Sequence, residues 1–238
     1  MKKFLLIISA LVLLCALWLL SKPTMSEIGI AYAKPAEAGQ ALTVTWFGVT
    51  TLLIDDGVTQ ILIDGYFSRP SLLDIALERA IEPDQAAIEG MLDRFEINRL
   101  KAVIPVHSHF DHALDSAEVA KQTGAQLMGS ATTAQIAAGS SLATHQVSVI
   151  ETETVYSVGA FEVTFYPSQH APLASNSAIS GTVAAPLTLP APYTAWKLGR
   201  AYTLVIAHPK GRMLIQGSAG FVPGALAEIE VDAVFLGT

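Results

Sequence analysis

The chain has 238 residues, enough for one large domain with a sizeable core. Its net charge is −7, and it contains no run of lysine or arginine that could follow a phosphate backbone, so nucleic acid is not expected as a partner. Cys15 is the only cysteine, which excludes disulfides and thiolate metal ligands from the remainder of the chain.

The N-terminus is basic and then strongly apolar. Lys2 and Lys3 precede an apolar run at residues 4–20 that only Ser9 interrupts. Its length is that of a membrane span of roughly 20 residues and exceeds a typical signal-peptide core. A small-x-small sequence at residues 31–33 is typical of a cleavage site but lies far beyond the run. Residues 1–24 are therefore interpreted as a membrane anchor or a signal peptide, with the anchor favoured. Because the basic end stays in the cytoplasm, the remainder is expected to be exported, as a membrane-anchored, periplasmic or extracellular domain.

Residues 25–40 lack a periodic apolar pattern and are predicted to be a tether, and residues 41–238 are predicted to form one domain. Helices are expected to begin at Pro83 and Asp115, with Gly124 ending the second. The mixed hairpins and helices in two similar halves predict an α/β (α+β) fold with two packed sheets covered by helices. Strands are predicted at residues 41–46, 51–54, 60–64, 100–106, 125–128, 146–150, 161–166, 202–207, 212–216 and 231–236.

The most informative stretch is residues 107–112, in which three imidazoles and one carboxylate directly follow a predicted buried strand. Zinc and its first-row neighbours accept imidazole nitrogen and carboxylate oxygen as ligands. The two-residue spacing of His107 and His109 directs both rings to one side of an extended strand end, whereas Asp111 and His112 lie in the following turn. The stretch predicts a site for one metal ion or for two adjacent ions.

Two other strand ends carry polar side chains. His170 follows the strand at residues 161–166 and opens a long loop, so it is expected to complete the metal site. Asp64 ends the strand at residues 60–64, and two roles stay open for it. It either forms a turn, which aspartate does well, or accepts the free N–H of a ligand imidazole and fixes its tautomer.

The remaining candidates have less specific interpretations. His145 and His208 are expected to be solvated, and the Trp-Phe-Gly sequence at residues 46–48 is expected to pack the core and turn the chain. Ser108 is interpreted as a spacer and Phe110 as a packing residue. The loop at residues 171–197 forms either an apolar wall over the site or an ordered surface loop.

The pattern resembles the metallo-β-lactamase superfamily. The resemblance is carried by His-x-His-x-Asp-His after an apolar strand, a later lone histidine and an early strand pair ending in Ile-Asp, and it runs from about residue 41 to the C-terminus. Among its branches the chain looks most like membrane-associated hydrolases similar to the N-acyl-phosphatidylethanolamine phospholipases and the ascorbate-6-phosphate lactonases. The resemblance implies an αββα sandwich and zinc as cofactor, as one or two ions, with manganese or iron as alternatives. It assigns His107, His109 and His170 to a first metal, and Asp111 and His112 to a second.

The sequence departs from the family pattern at three places. Ser218 stands where the family has a metal-bridging aspartate, so the glycine-rich residues 217–220 are either a tight turn that allows close backbone approach or a lost ligand. Val49 stands where a related branch has a histidine. The printed chain stops where the family has a further segment with a last histidine, so the sandwich is expected to lack that segment. One well-held metal and a weak or empty second position are therefore predicted.

The leading functional hypothesis is a metal-dependent hydrolase of an ester, lactone, amide or phosphodiester in a small-molecule or lipid-like substrate. A metal-activated water would be the nucleophile, and Asp111 would orient it or accept its proton. The alternative is a membrane-tethered metal-binding or degenerate protein that keeps the fold without turnover. A third possibility is a truncated product whose missing segment supplied the last ligand.

Overall fold

The computed structural model describes residues 9–14, 41–172, 177–218 and 220–237. The chain divides into two units, Met1–Lys34 and Pro35–Thr238. In the first unit residues 9–14 are helical. The rest of the predicted anchor or signal, the small-x-small sequence and the tether lie outside the described residues. In the part that the structure describes, no helix is long and apolar enough to cross a membrane.

The first sheet has six strands and contains the early hairpin predicted from the sequence. Its turn is closed by Asp56, whose Oδ1 accepts hydrogen bonds from the backbone N–H of Val58 (2.8 Å) and Thr59 (2.6 Å). Its strands are β1 (Thr43–Trp46), β2 (Leu52–Asp55), β3 (Gln60–Ile63), β5 (Leu100–Ile104), β6 (Gln126–Gly129) and β7 (Val147–Val149), with β4 (Ala80–Ile81) lying elsewhere. They neighbour one another in that order. The pairs β1–β2 and β2–β3 are antiparallel, and the pairs from β3 to β7 are parallel.

The second sheet has five strands in the order β13-β12-β11-β9-β8. They are β8 (Val155–Val158), β9 (Phe161–Pro167), β11 (Tyr202–His208), β12 (Gly211–Gln216) and β13 (Ala233–Leu236). Only the β12–β13 pair is parallel. The short strand β10 (Ala191–Pro192) pairs with β4 in a separate two-stranded sheet.

Five α-helices lie between β3 and β7, and their ends follow local sequence signals. The Asp84 side chain accepts a hydrogen bond from the Ala87 N–H (3.1 Å) at the start of the second helix, so Pro83 lies just before the helix. Gly124, with φ +74°, ends the fourth helix as predicted. The helices are α1 (Leu72–Ala76), α2 (Gln85–Arg94), α3 (Phe110–Ala113), α4 (Ser116–Thr123) and α5 (Ala131–Gly139). Short 3₁₀ helices occupy Thr144–Gln146, Ser177–Ile179 and Tyr193–Ala195.

The core has two main layers that follow from the alternation of apolar residues in the strands. Phe161, Val163 and Phe165 of β9 alternate with polar residues and are fully buried between the two sheets, against side chains such as Ile63 and Ile104. A second layer lies on the other face of the first sheet, where α2, α4 and α5 pack on β2, β3, β5 and β6. Each such buried side chain contributes about 1.5–3 kcal/mol. The predicted α/β class with two mixed sheets is confirmed.

Candidate metal centre

The candidate metal centre is assembled from residues that follow four different strands. His107 and His109 follow β5, and α3 carries Asp111 and His112 immediately afterwards. His170 follows β9, Asp64 follows β3, and Ser218 follows β12. The two sheets thus bring distant parts of the chain into one region: Asp64 and Ser218 are 154 positions apart in the sequence.

Three imidazoles converge. A ligand nitrogen from each of His107, His109 and His170 lies within 4.8 Å of the other two. The ring centroids of His107 and His109 are 4.7 Å apart, and those of His109 and His170 are 4.8 Å apart. These are the three residues that the resemblance assigned to a first metal.

In three histidines, one ring nitrogen faces away from the other donors (the outer nitrogen) and lies beside an oxygen acceptor. This contact determines that the outer nitrogen carries a proton. His109 Nε2 lies 3.1 Å from the Ile179 carbonyl oxygen, and His170 Nδ1 lies 2.8 Å from the Ala171 carbonyl oxygen. His112 Nδ1 lies 2.7 Å from Asp64 Oδ2. Because an oxygen acceptor needs an N–H, each ring carries a proton on the outer nitrogen, so in its neutral form it presents a lone pair inwards. This is how partner groups orient histidine ligands in metal sites.

His107 is the most deeply enclosed ring of the site. It is 1% exposed, and within the described residues its buried Nδ1 has no hydrogen-bond partner. Burial, reinforced by the neighbouring histidines, holds the pKa of His107 well below its ordinary value, and burial lowers the pKa of His109 to about 4. Both rings are therefore neutral at pH 7, which is the form that binds a metal. The donor set consequently fits a divalent cation of the zinc type.

Of the two roles left open for Asp64, the structure shows the contact with an imidazole: its carboxylate accepts the N–H of His112. It is fully buried, and besides His112 it accepts a hydrogen bond from the Val106 N–H at Oδ1 (2.9 Å). Burial raises the pKa of Asp64, and His112 opposes that rise. Burial alone lowers the pKa of His112, but the carboxylate of Asp64 raises it above its ordinary value. Asp64 therefore joins the end of β5 to the ring of His112.

A second group of donors consists of His107, Asp111 and His112, again with ligand atoms within 4.8 Å of one another. Asp111 Oδ2 lies 3.7 Å from His112 Nε2, and the Asp111 side chain is 39% exposed. The two groups share His107. If His107 binds an ion together with His109 and His170, the other group keeps only Asp111 and His112 as further ligands. The five donor side chains therefore do not form two independent three-ligand sites.

Ser218 lies beside these donors and holds the His170 segment. Its Oγ accepts a hydrogen bond from the Ala171 N–H (2.9 Å). A methyl group on Gly217 would come within 2.4 Å of Val106 Cγ2, and one on Gly220 within 2.4 Å of the Gln169 carbonyl oxygen. The glycines at residues 217–220 therefore allow the close backbone approach that the sequence suggested, while no carboxylate is present at Ser218.

Gln216 and Ser108 support the site in ways that the sequence did not indicate. The Gln216 side-chain amide lies 3.0 Å from Ser168 Oγ and 2.5 Å from the Gly220 carbonyl oxygen, so it links the segments that follow β9 and β12. Ser108 is fully buried, and its hydroxyl lies 2.9 Å from Thr133 Oγ1 of α5. Because the contacts of Gln216 with Ser168 and of Ser108 with Thr133 join parts of the chain that are 48 and 25 positions apart, no local pattern could have predicted them.

Two other expectations are corrected. Trp46 is 55% exposed and does not pack the core, although Phe47 does, against Phe67 and Phe95. The His208 side chain is only 5% exposed and lies 3.3 Å from Asp56 Oδ2, so its expected solvation is wrong, whereas His145 is exposed as expected.

The structure also shows what the loop at residues 171–197 and the Asp115 carboxylate contact. Trp196 and other apolar residues of the loop pack in a cluster with Phe110, while the backbone of the same loop contacts the donor His109 through the Ile179 carbonyl oxygen. The Asp115 carboxylate makes no capping bond. It accepts hydrogen bonds from the backbone N–H groups of Phe67 (2.6 Å) and Ser68 (2.7 Å).

No protein-family model matches the sequence. The chain is 32% identical over 89 residues to a UPF0173 metal-dependent hydrolase of Heliobacterium modesticaldum, covering 37% of this chain and 30% of the relative. It is 28% identical over 90 residues to a protein with the same description from Pyrobaculum islandicum, covering 37% and 32%. The chain thus spans about a third of the length of the curated relatives it matches. These relatives support the resemblance to metallo-hydrolases.

Solved structures resemble the chain more distantly. The class B3 di-zinc metallo-β-lactamase LRA-12 from an Alaskan soil metagenome is 14% identical, with a TM-score of 0.47 over 91% of this chain and 83% of that one. The metallo hydrolase Igni18 of Ignicoccus hospitalis is 16% identical, with a TM-score of 0.43 over 72% and 58%. At these scores neither structure bears on the reaction of this chain.

Proposed function

We propose that this chain is a metal-dependent hydrolase in which His107, His109 and His170 hold one divalent cation. The observation that carries the proposal is the convergence of three imidazole nitrogens within 4.8 Å, from the buried His107 and His109 and the partly buried His170. His109 and His170 donate their outer N–H groups to carbonyl oxygens, so the inner nitrogens of the neutral rings carry lone pairs. The curated relatives named as metal-dependent hydrolases support the same class.

A divalent cation held by these histidines would act as a Lewis acid and would lower the pKa of a bound water molecule towards 7. Asp111 is the residue of this chain that handles the proton. Its side chain is partly exposed and lies 3.7 Å from His112 Nε2, so it is accessible from the cavity and close to the metal donors. A carboxylate there orients a water molecule and accepts its proton as that water attacks a carbonyl carbon or phosphorus.

The proposal includes one tightly held ion and a weak second position. Once His107 belongs to the first group, Asp111 and His112 are the donors of that second group that remain for another ion among the described residues. Ser218 adds no charge, and a neutral hydroxyl is a poor ligand for a divalent cation. Zinc is the favoured ion, with manganese or iron as alternatives, because the donors are imidazole and carboxylate.

The proposed substrates are esters, lactones, amides or phosphodiesters of small-molecule or lipid-like compounds. The apolar N-terminal run leads us to propose an exported domain held at a membrane or released from it. We also extend the resemblance to the branch of membrane-associated hydrolases as part of this proposal.

A second candidate function is metal binding without turnover. It is favoured by Ser218, which lies at the site without a carboxylate, and by the incomplete second group of donors. A tethered, degenerate member of the same fold would keep the three-histidine site and lose catalysis.

The two candidates are distinguished by assaying the purified full chain with zinc or manganese against ester, lactone, amide, phosphodiester and β-lactam substrates. A hydrolase loses its activity in His109→Ala, with the fold retained by circular dichroism. His145→Ala is the matched control, because His145 is an exposed histidine remote from the donor groups. If no substrate is turned over faster by the wild type than by His109→Ala, the hydrolase proposal fails and the binding function is favoured.

A further inference from the structure

The metal donors open into a cavity of about 480 Å³ whose remaining lining combines three large apolar side chains with the hydroxyl side chains of Thr50 and Ser218. Asp111, His112 and His170 line one part of it. Trp46, Val49 and Leu236 also line it, and these three side chains are 55%, 46% and 67% exposed. Large apolar side chains left this exposed beside buried polar groups are typical of a ligand-binding cavity.

The apolar wall is held in a fixed conformation. Val49 has φ +50°, a left-handed conformation that a β-branched residue rarely adopts. The Trp46 indole N–H donates a hydrogen bond to the Val49 carbonyl oxygen (2.9 Å), and the Thr50 hydroxyl donates one to the Gly217 carbonyl oxygen (3.2 Å). The first bond closes the loop between β1 and β2, and the second attaches this loop to the end of β12, so strain at Val49 is maintained beside the candidate site.

The charges around the cavity restrict its ligand. Among the described residues that line it there is no lysine or arginine, and Asp111 is the one carboxylate. A substrate with an anionic substituent near the scissile bond would therefore meet no side-chain cation of this wall. An uncharged apolar substituent would instead gain contact with Trp46 and Val49.

From this arrangement we infer that the site accepts uncharged carboxylic esters, lactones or amides whose acyl chain lies on a wall formed by Trp46, Val49 and Leu236. The inference rests on the proposed hydrolase function and specifies its substrate class. The scissile carbonyl lies at the donor end of the cavity, and the acyl chain extends towards the indole ring. Water attacks the carbonyl carbon, Asp111 accepts the proton, and the C–O or C–N bond breaks with transfer of a proton to the leaving group.

The test compares p-nitrophenyl acetate with p-nitrophenyl hexanoate on the zinc-loaded full chain, counting only turnover that His109→Ala abolishes. Four additional methylene groups, about half buried, should raise kcat/KM about tenfold for hexanoate. Trp46→Ala should reduce this hexanoate-to-acetate ratio to about 2, and Trp46→Phe should largely restore it. Leu72→Ala is the matched control, because Leu72 is 85% exposed and does not line the cavity.

Binding provides a readout that does not require turnover. Calorimetric titration should show tighter binding of hexanamide than of acetamide, with the difference diminished in Trp46→Ala. Histidine-dependent hydrolysis of both esters without a Trp46-dependent chain-length preference would overturn the inference and leave the hydrolase function intact. Equal binding of both amides would overturn it as well. The absence of any histidine-dependent hydrolysis across the whole substrate screen would instead overturn the hydrolase function, and the inferred substrate class with it.

Discussion

Replacing Asp64 by asparagine tests how the site is held together. The substitution preserves size, and asparagine tolerates the left-handed backbone that Asp64 adopts at φ +61°. The carboxylate accepts one hydrogen bond from Val106 N–H and one from His112 Nδ1. An amide has one oxygen, so its NH₂ group must face one of these two donors.

The expected losses of stability and of catalysis follow from these two hydrogen bonds. A hydrogen bond to a charged group contributes about 1.5–3 kcal/mol, so the free energy of unfolding should fall by about 2 kcal/mol. With the amide oxygen on Val106, its NH₂ faces His112 Nδ1 and favours the ring tautomer that carries a proton on Nε2. That N–H then points towards Asp111, which is 3.7 Å away. Catalysis should fall by about 10- to 100-fold, as for other residues that orient ligand histidines.

The assay combines urea unfolding with hydrolysis by the zinc-loaded chain. Asp115→Asn is a matched control, because Asp115 is also fully buried but accepts its hydrogen bonds from Phe67 and Ser68. It should lose comparable stability while hydrolysis is unaffected. If Asp64→Asn changes stability by less than about 0.5 kcal/mol, or destabilises without affecting hydrolysis, Asp64 does not fix the His112 tautomer.

Two further predictions concern the histidines and the close backbone contact. In metal-free protein the pKa of His109 is lowered by burial from 6.5 to about 4, so between these values the unfolded chain binds more protons than the folded one. The contribution of His109 to the free energy of unfolding should therefore fall as the pH drops from 7 towards 4, by up to about 1.4 kcal/mol per pH unit, and the lowered pKa of His107 acts in the same direction. Urea unfolding in EDTA at several pH values measures this slope, and a pH-independent midpoint would contradict it. Gly217→Ala should cost about 1–3 kcal/mol because its methyl group would lie 2.4 Å from Val106 Cγ2. Val106→Ala in that background should recover part of the loss, and simple additivity of the two substitutions would argue against the contact.

Local patterns were sufficient for much of the fold. Apolar and polar residues alternate in β9, and Asp56 and Gly57 stand between two predicted strands, so the exposure of β9 and the position of the early hairpin both follow from local sequence. Helix α5 was missed because its sequence has little apolar periodicity and its N-terminal box pairs Ser130 with Thr133 instead of a glutamate or glutamine. Strand β8 was missed because it is short and mostly exposed.

The site was predictable where its residues are close in sequence and less so where they depend on tertiary contacts. The spacing of His107 and His109 indicated a shared metal, and the strand ends pointed to Asp64 and His170. The sequence did not show which ring Asp64 would face, nor that His107 would belong to both donor groups. His208 was misjudged because its partner Asp56 is 152 positions away, in the turn of another sheet.

Metal content tests the proposed three-histidine site most directly. The full chain, equilibrated with zinc and then freed of loosely bound ions, should retain one equivalent by elemental analysis. His109→Ala should retain almost none while its circular dichroism is unchanged, and His145→Ala should behave as the wild type. Two tightly held equivalents in the wild type, or one in His109→Ala, would contradict a single ion held by His107, His109 and His170.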